Sequence, residues 1–238
     1  MGQIIRTERL DRRYGELDFL IAAAIMLMVA YHLAYDLKEF MGLMVDYQAP
    51  FWYTIGKTAA LLFIFLSGIS NGLSNAPVRR GVKVLLCGLG ISVVTYLFLK
   101  EEYVRFGILH YLGMTMIFSP WLFRLSSRML LALAACSACL GFWFSGLIVN
   151  TAFLLPLGLK YPGFSTIDYF PVFPYLAVTI LGMLTYRIYY KERRKPLIRL
   201  RAIPKSFQWL SRNSLVIYLV HQPVILLIIV VVSGSKLF

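Results

Sequence analysis

Seven long stretches without Asp, Glu, Lys or Arg constrain the fold of this chain more than any other feature of its sequence. A helix needs about 20 apolar residues to cross a hydrocarbon core of roughly 30 Å. Each stretch is predicted to be a helix, because lipid offers no partners to unpaired backbone groups and the residue alternation of a transmembrane barrel is missing. The stretches are Phe19 to Tyr35, Thr58 to Val78, Val84 to Leu99, Phe106 to Phe123, Met129 to Leu159, Tyr169 to Tyr186 and Asn213 to Ser235.

The composition excludes an ordinary soluble domain. The 238 residues are 59% hydrophobic and only 15% charged, whereas about 25% charged residues are usual in soluble domains. We therefore predict an all-α polytopic membrane protein, with one transmembrane domain over residues 1–238 and a bundle of about seven membrane-spanning helices. The fifth stretch is too short for two crossings, so we expect one helix followed by a short apolar segment near Leu154, Leu155 and Pro156.

The distribution of positive charge predicts the orientation, because Lys and Arg are retained on the cytoplasmic side of a membrane. With a cytoplasmic N-terminus and an outer C-terminus, 18 of the 24 basic residues lie inside. They include Arg79, Arg80 and a basic loop at about 189–212 that carries Arg193 and Arg194. The net charge of +13 is then a property of the inner face. We expect a multi-pass protein of the cell membrane whose inner face attracts anionic lipids or an anionic cofactor.

All three histidines fall within the apolar stretches, where ionisable groups are costly and usually line a cavity or a pathway. His32 lies in the outer third of the first helix, about 22 Å from the predicted helix start. Asp36 follows at i+4, which puts carboxylate and imidazole on one helix face, where the acid can orient the ring. The alternative is a pair at the water interface that satisfies itself and does no chemistry.

His110 lies near the outer end of the fourth helix, at a depth similar to that of His32 and five residues after Arg105. Asp168, which precedes the sixth helix, is expected beside the same plane. These three residues are candidates for binding a substrate at the outer face. Their alternative role is that of wetted residues at helix ends.

The last helix carries a polar stripe that includes Tyr218, His221 and Gln222. Such a stripe either lines a polar channel or binds neighbouring helices by hydrogen bonds. His221 is expected near the midplane, about 15 Å into its helix and several ångströms from the other two histidines. In the inner half of the second helix, Ser67 and Asn71 either permit tight helix packing or leave room for a thin, extended ligand.

The motifs GxSxG, P-loop, HExxH and GxGxxG do not occur in the sequence. We therefore predict no metal site, and we expect membrane lipids but no nucleic acid as partners. The sequence is compatible with a homo-oligomer.

Five segments, in order along nearly the whole chain, resemble the bacterial membrane family related to the catalytic region of heparan-alpha-glucosaminide N-acetyltransferase. They are LDFLIAAAIMLMVAYHLAYDL at 17–37, FIFLSGISNGLS at 63–74, FGILHYLGM at 106–114, DYFPVFPYLAVTILGMLTYR at 168–187 and SRNSLVIYLVHQPV at 211–224. The resemblance implies a transmembrane acyltransferase that takes acetyl-CoA from the cytoplasmic side and acetylates a sugar or glycolipid acceptor at the far side.

Acetyl transfer requires a base for the acceptor's proton and stabilisation of a developing oxyanion. His32, oriented by Asp36, is the predicted base, while Arg105, His110 and Asp168 are predicted to bind the acceptor. The predicted donor site comprises Tyr218, His221 and Gln222 near the thioester, Ser67 and Asn71 along its route, and Arg79, Arg80, Arg193 and Arg194 at the nucleotide phosphates. Two alternatives remain: a proton-coupled transporter or flippase, and a helix bundle that serves as an interaction subunit.

Overall fold

The computed structural model describes residues 14–192 and 203–233. Eight α-helices follow one another in this part of the chain: α1 Gly15–Met41, α2 Pro50–Leu73, α3 Pro77–Leu99, α4 Ile108–Leu122, α5 Ser127–Ser145, α6 Val172–Thr185, α7 Lys205–Arg212 and α8 Ser214–Ser233. A π-helix, Tyr186–Glu192, continues α6, and short 3-10 helices lie at Lys100–Glu102 and Ala152–Leu157. Six helices are long and apolar enough to cross a membrane, and α4 is a shorter apolar helix. The predicted all-α fold is confirmed, while the orientation of the termini stays a prediction.

Local sequence signals explain where several helices begin and end. Pro50 and Pro77 stand at the first positions of α2 and α3, where a missing N–H costs nothing. Ser126 caps α5 by accepting a hydrogen bond from the Met129 amide. Gly42 ends α1 with φ 65°, and its N–H reaches the carbonyls of Leu37 and Lys38. This left-handed conformation favours glycine.

Helix α2 runs through the centre of the bundle and contacts α1, α4 and α6. Its residues Ala60 and Ile64 form a buried cluster with Ile108 and Tyr111 of α4, against which Tyr218 of α8 packs. One hydrophobic cluster of the bundle therefore lies where α2, α4 and α8 meet. Helix α3, by contrast, packs mainly on α4. Its outer face consists of exposed apolar side chains, as expected for contact with lipid: Val78, Val82, Leu86, Leu89, Val93 and Leu97.

The fifth apolar stretch contains one helix, as predicted, and not two. Helix α5 is followed by Gly146, and the short apolar segment forms the 3-10 helix Ala152–Leu157. Leu155 is buried there, and its carbonyl accepts a hydrogen bond of 2.7 Å from the Tyr169 hydroxyl. The segment thus packs against the chain that leads into α6.

Two connecting segments are tied together beside the start of α4. The Thr166 hydroxyl donates to the Tyr103 carbonyl at 2.8 Å, and the Phe170 amide donates to the Phe106 carbonyl at 2.9 Å. These bonds hold the backbone on both sides of Asp168. The carboxyl group is therefore fixed at the N-terminus of α4.

The end of the predicted basic loop forms the short helix α7, which packs against the first turns of α1. The rings of Phe207 and Phe19 stack there with centroids 5.4 Å apart. Because α7 lies beside the first turns of α1, α8 begins next to a later part of α1. Residues 193–202, with Arg193 and Arg194, lie outside the described residues.

Candidate active site

His32 of α1 and His221 of α8 lie side by side. Their ring centroids are 4.7 Å apart and the rings are nearly perpendicular, at 83°. The predicted separation of His32 and His221 in depth is therefore corrected, because their rings are in contact. The depth of each histidine in the membrane was predicted from its distance to the start of its own helix. This prediction assumes that α1 and α8 start at the same depth, whereas α8 starts further along because α7 lies beside the first turns of α1. His221 is buried, whereas His32 is half-buried.

Both imidazoles are anchored through Nδ1 to backbone carbonyls of their own helices. His32 Nδ1 lies 2.9 Å from the Met28 carbonyl, and His221 Nδ1 lies 2.6 Å from the Tyr218 carbonyl. A carbonyl only accepts, so each Nδ1 carries the proton, and each Nε2 of a neutral ring presents a lone pair. His221 Nε2 is buried and has no hydrogen-bond partner among the described residues. The two rings thus offer two basic nitrogens to a ligand.

Asp36 is fully buried and is held by α8, not by His32. The Gln222 amide nitrogen donates to both carboxyl oxygens of Asp36, at 2.7 and 2.9 Å. The expected i+4 contact, in which Asp36 orients the His32 ring, is therefore corrected: the Met28 carbonyl takes the ring nitrogen one turn earlier. Asp36 and Gln222 instead tie α1 to α8 directly beside the histidine pair.

Ser67 and Asn71 of α2 present buried polar atoms without partners. Asn71 is only 2% exposed, and neither its amide oxygen nor its amide nitrogen has a hydrogen-bond partner in the described part of the chain. The same is true of the Ser67 hydroxyl oxygen. Both residues continue the face of α2 on which Ala60 and Ile64 pack against α4 and Tyr218, since they follow Ile64 at i+3 and i+7. Unpaired buried polar groups of this kind are rare and call for a partner.

His110 forms a complete set of hydrogen bonds at the N-terminus of α4. The Gly107 amide donates to Nδ1 at 3.3 Å, so the proton resides on Nε2, which lies 3.2 Å from the Ser92 hydroxyl. Ser92 in turn donates to the Val104 carbonyl. Nδ1 thus caps the N-terminus of α4, and Nε2 joins α4 to α3. This arrangement gives His110 a clear structural role beside the predicted one in substrate binding.

Asp168 accepts a hydrogen bond of 2.9 Å from the Ile108 amide, the first residue of α4. Burial raises the pKa of its carboxyl group to about 6, while the Ile108 amide and the positive charge of Lys57 act in the lowering direction. Asp168, His110 and Tyr218 line a cavity of about 10 Å³, room for roughly one water molecule. Tyr218 also contacts the His221 ring, with centroids 5.5 Å apart. It therefore connects the histidine pair with the cavity at Asp168.

The predicted arginines that the structure describes do not line this cavity. The Arg105 guanidinium donates to the Ser165 carbonyl and lies over the Tyr103 ring, 4.6 Å from its centroid. Arg79 and Arg80 are exposed in the first turn of α3, which follows the Ser67 and Asn71 end of α2. Arg105 thus holds a surface loop, while the other two remain available to an anion.

Lys57 is a further polar residue of the bundle that was not predicted from the sequence. This residue served only as the boundary of the second apolar stretch, yet α2 begins seven residues earlier, at Pro50, so the ammonium group lies within the helical bundle. Its Nζ atom donates to the Tyr175 hydroxyl at 3.2 Å. The sequence signal that could have identified Lys57 is a single basic residue directly before an apolar stretch. The helix that contains this stretch begins earlier than the stretch itself.

The sequence of the chain matches one known protein family. Residues 13–223 match the family model described as heparan-alpha-glucosaminide N-acetyltransferase, catalytic. No curated protein and no solved structure gives a significant match to the chain. The match covers most of the chain and includes the histidine pair, Asp36 and the residues that line the cavity. The protein therefore belongs to the heparan-alpha-glucosaminide N-acetyltransferase catalytic family, a family of membrane acetyltransferases.

Proposed function

We propose that this protein transfers an acetyl group from acetyl-CoA to a hydroxyl or amino group of a sugar acceptor, with donor and acceptor approaching from opposite faces of the membrane. The observation that carries the proposal is the pair of histidines from separate helices, each anchored through Nδ1 and each presenting Nε2. Membership of a membrane acetyltransferase family supports the reaction type. The donor, the acceptor and the direction of transfer belong to the proposal.

The unpartnered polar atoms on α2 fit the extended arm of acetyl-CoA. Leaving a buried donor or acceptor unpaired costs about 1–3 kcal/mol, and the amides of the arm would offset this cost at Ser67 and Asn71. Exposed Arg79 and Arg80 would attract the nucleotide phosphates. Arg193 and Arg194, which lie outside the described residues, are proposed to do the same. Acetyl-CoA supplies a thioester carbonyl that is activated for attack.

His32 is the proposed general base. Its half-buried ring has its Nδ1 proton committed to the Met28 carbonyl, so Nε2 can take the proton of the acceptor group. Asp36 lies one turn further along α1 and would supply negative charge near the ring when it becomes positive. His221 and Tyr218 would face the donor. On the acceptor side, Asp168 and His110 would bind hydroxyl groups of the sugar.

The first experiment measures release of CoA by purified protein reconstituted in lipid vesicles, with acetyl-CoA and a panel of simple sugars. We expect turnover by the unaltered protein and a fall in kcat of at least about 100-fold in His32→Ala. Thr185→Ala is the matched control, because its hydroxyl bonds only to its own helix, at the Leu181 carbonyl. A thermal-shift titration with acetyl-CoA should raise the unfolding temperature in both variants. Absence of both binding and turnover would contradict the proposal and favour transport.

A second arm tests the role of Asp36. Gln222→Glu sets two carboxyl groups face to face and should destabilise the protein by about 2 kcal/mol. Asp36→Asn in the same chain restores an amide–carboxyl pair and should restore the stability, while kcat stays low because the negative charge has moved to α8. Full recovery of kcat in the double variant would mean that Asp36 only holds α1 to α8.

A further inference from the structure

Lys57 is a basic side chain that the proposed chemistry does not use. It lies on α2, about 10 Å from the start of that helix at Pro50, and is half-buried. Its ammonium group faces three aromatic rings, with distances to the centroids of 5.6 Å for Tyr53, 5.9 Å for Tyr175 and 6.0 Å for Phe170. The rings shield the cation from water on several sides.

The ammonium group has hydrogen-bonding capacity to spare. It carries three N–H donors, and the Tyr175 hydroxyl takes one of them at 3.2 Å. Within residues 14–192 and 203–233, no carboxylate oxygen lies within 4.0 Å of Lys57 Nζ. A cation that is partly removed from water is costly when no carboxylate contacts it directly. Aromatic faces offset only part of this cost.

Lys57 lies on the acceptor side of the proposed site. Phe170, one of its three rings, follows Asp168 by two residues in a segment whose backbone is fixed by the bond to Phe106. The charge of Lys57 acts on the Asp168 carboxyl group, although burial has the larger effect there. An acceptor that binds at Asp168 would therefore also be exposed to the positive charge of Lys57.

We propose that Lys57 and its aromatic surroundings form an anion-binding subsite, so that the acceptor is a sugar that carries a carboxylate or phosphate group. This inference rests on the proposed function, whose acceptor it narrows. An oxyanion would accept the free N–H donors of Lys57 in charge-assisted hydrogen bonds. An ammonium group at the same position would be repelled by like charge.

The experiment compares four acceptors in the CoA-release assay: glucose, glucosamine, glucuronate and glucose 6-phosphate. Comparison of glucuronate with glucose 6-phosphate shows whether the site prefers a carboxylate or a phosphate group. Lys57→Met should raise KM for the two anionic sugars about tenfold while leaving kcat and the KM for glucose nearly unchanged. Lys57→Arg should retain most of the preference. Thermal unfolding of each variant checks that it folds.

Lys38→Met is the matched control, because Lys38 already pairs with Asp46, at 3.9 Å, and both side chains are exposed. It should leave all four KM values unchanged. Equal effects of Lys57→Met on glucose and on the anionic sugars, or the same effect from Lys38→Met, would overturn the inference.

A binding measurement separates this inference from the proposed function. If the unaltered protein releases no CoA with any acceptor, the proposed function fails, and stabilisation by each sugar is then measured by thermal shift without acetyl-CoA. A shift with glucuronate or glucose 6-phosphate that is absent with glucose and lost in Lys57→Met would support the anion site. No anion-dependent shift would overturn it.

Discussion

Asp168 is held in an environment that favours its neutral form. It lies between two connecting segments at the N-terminus of α4, and burial raises its pKa from 3.8 to about 6. Between these two pH values the folded protein binds a proton that the unfolded chain has already lost. The free energy of unfolding therefore falls as the pH rises through this window.

The expected loss from Asp168 is about 3 kcal/mol from below pH 4 to above pH 6, since one pKa unit corresponds to about 1.4 kcal/mol. Asp168→Asn keeps the shape of the side chain and cannot ionise, so this variant should lack the loss. Equilibrium unfolding in mixed micelles across this pH range measures the difference between the two proteins. Parallel stability curves for the variant and the unaltered protein would show that Asp168 ionises freely in the folded state.

At the histidine pair, sequence spacing identified the residues but not their partners. The interval between His32 and Asp36 gives their angle about the axis of α1, and this part of the prediction was sound. It does not reveal that the Met28 carbonyl is nearer to the ring, or that Gln222 of a distant helix binds the carboxylate. Such choices depend on the position of α8 along α1, which no local pattern encodes.

At the scale of the helices, α2 and α6 cross at a pair of glycines. A Cβ atom added to Gly68 would meet the Thr179 carbonyl oxygen and the Cα atom of Gly182. The close approach brings the backbone of α6 against the segment of α2 that carries Ser67 and Asn71. Packing at this crossing therefore sets the position of the proposed donor site.

Gly68→Ala should lower the free energy of unfolding by about 1–3 kcal/mol, because the added methyl group meets backbone atoms that cannot rotate away. Gly90→Ala is the matched control, since a Cβ atom there meets nothing within 4 Å, and its effect should stay within about 0.5 kcal/mol. Unfolding of both variants in mixed micelles makes the comparison. Similar effects at the two positions would mean that helix propensity, and not the crossing, controls stability at Gly68.

The helices themselves were the most predictable part of the structure. Lipid-facing elements require long apolar stretches, so α1, α2, α3 and α8 each coincide with most of a stretch seen in the sequence. The charged boundary residue Lys57 shows where this criterion fails. A lone cation enters a helical bundle when rings and a hydroxyl group surround it, and those partners come from α6 as well as α2.

For the whole molecule, the charge distribution predicts which face meets the proposed acetyl donor. Met44 is fully exposed in the connection between α1 and α2, and Arg80 is exposed just after the start of α3. Because α2 separates these two positions and is long enough to cross the membrane, we expect them on opposite faces. The excess of basic residues on the Arg80 side predicts that this side is cytoplasmic.

Labelling of single cysteines with a membrane-impermeant maleimide tests this orientation. Cys87, Cys136 and Cys139 are free, so they are first replaced by alanine, and Met44→Cys or Arg80→Cys is then introduced. In intact cells we expect Met44→Cys to be labelled and Arg80→Cys to react only after permeabilisation. The reverse pattern would put the unpartnered Asn71 end of α2 on the outer face. Cytoplasmic acetyl-CoA would then have to arrive from the side of Asp168 and Lys57, and the assignment of donor and acceptor sites would have to be exchanged.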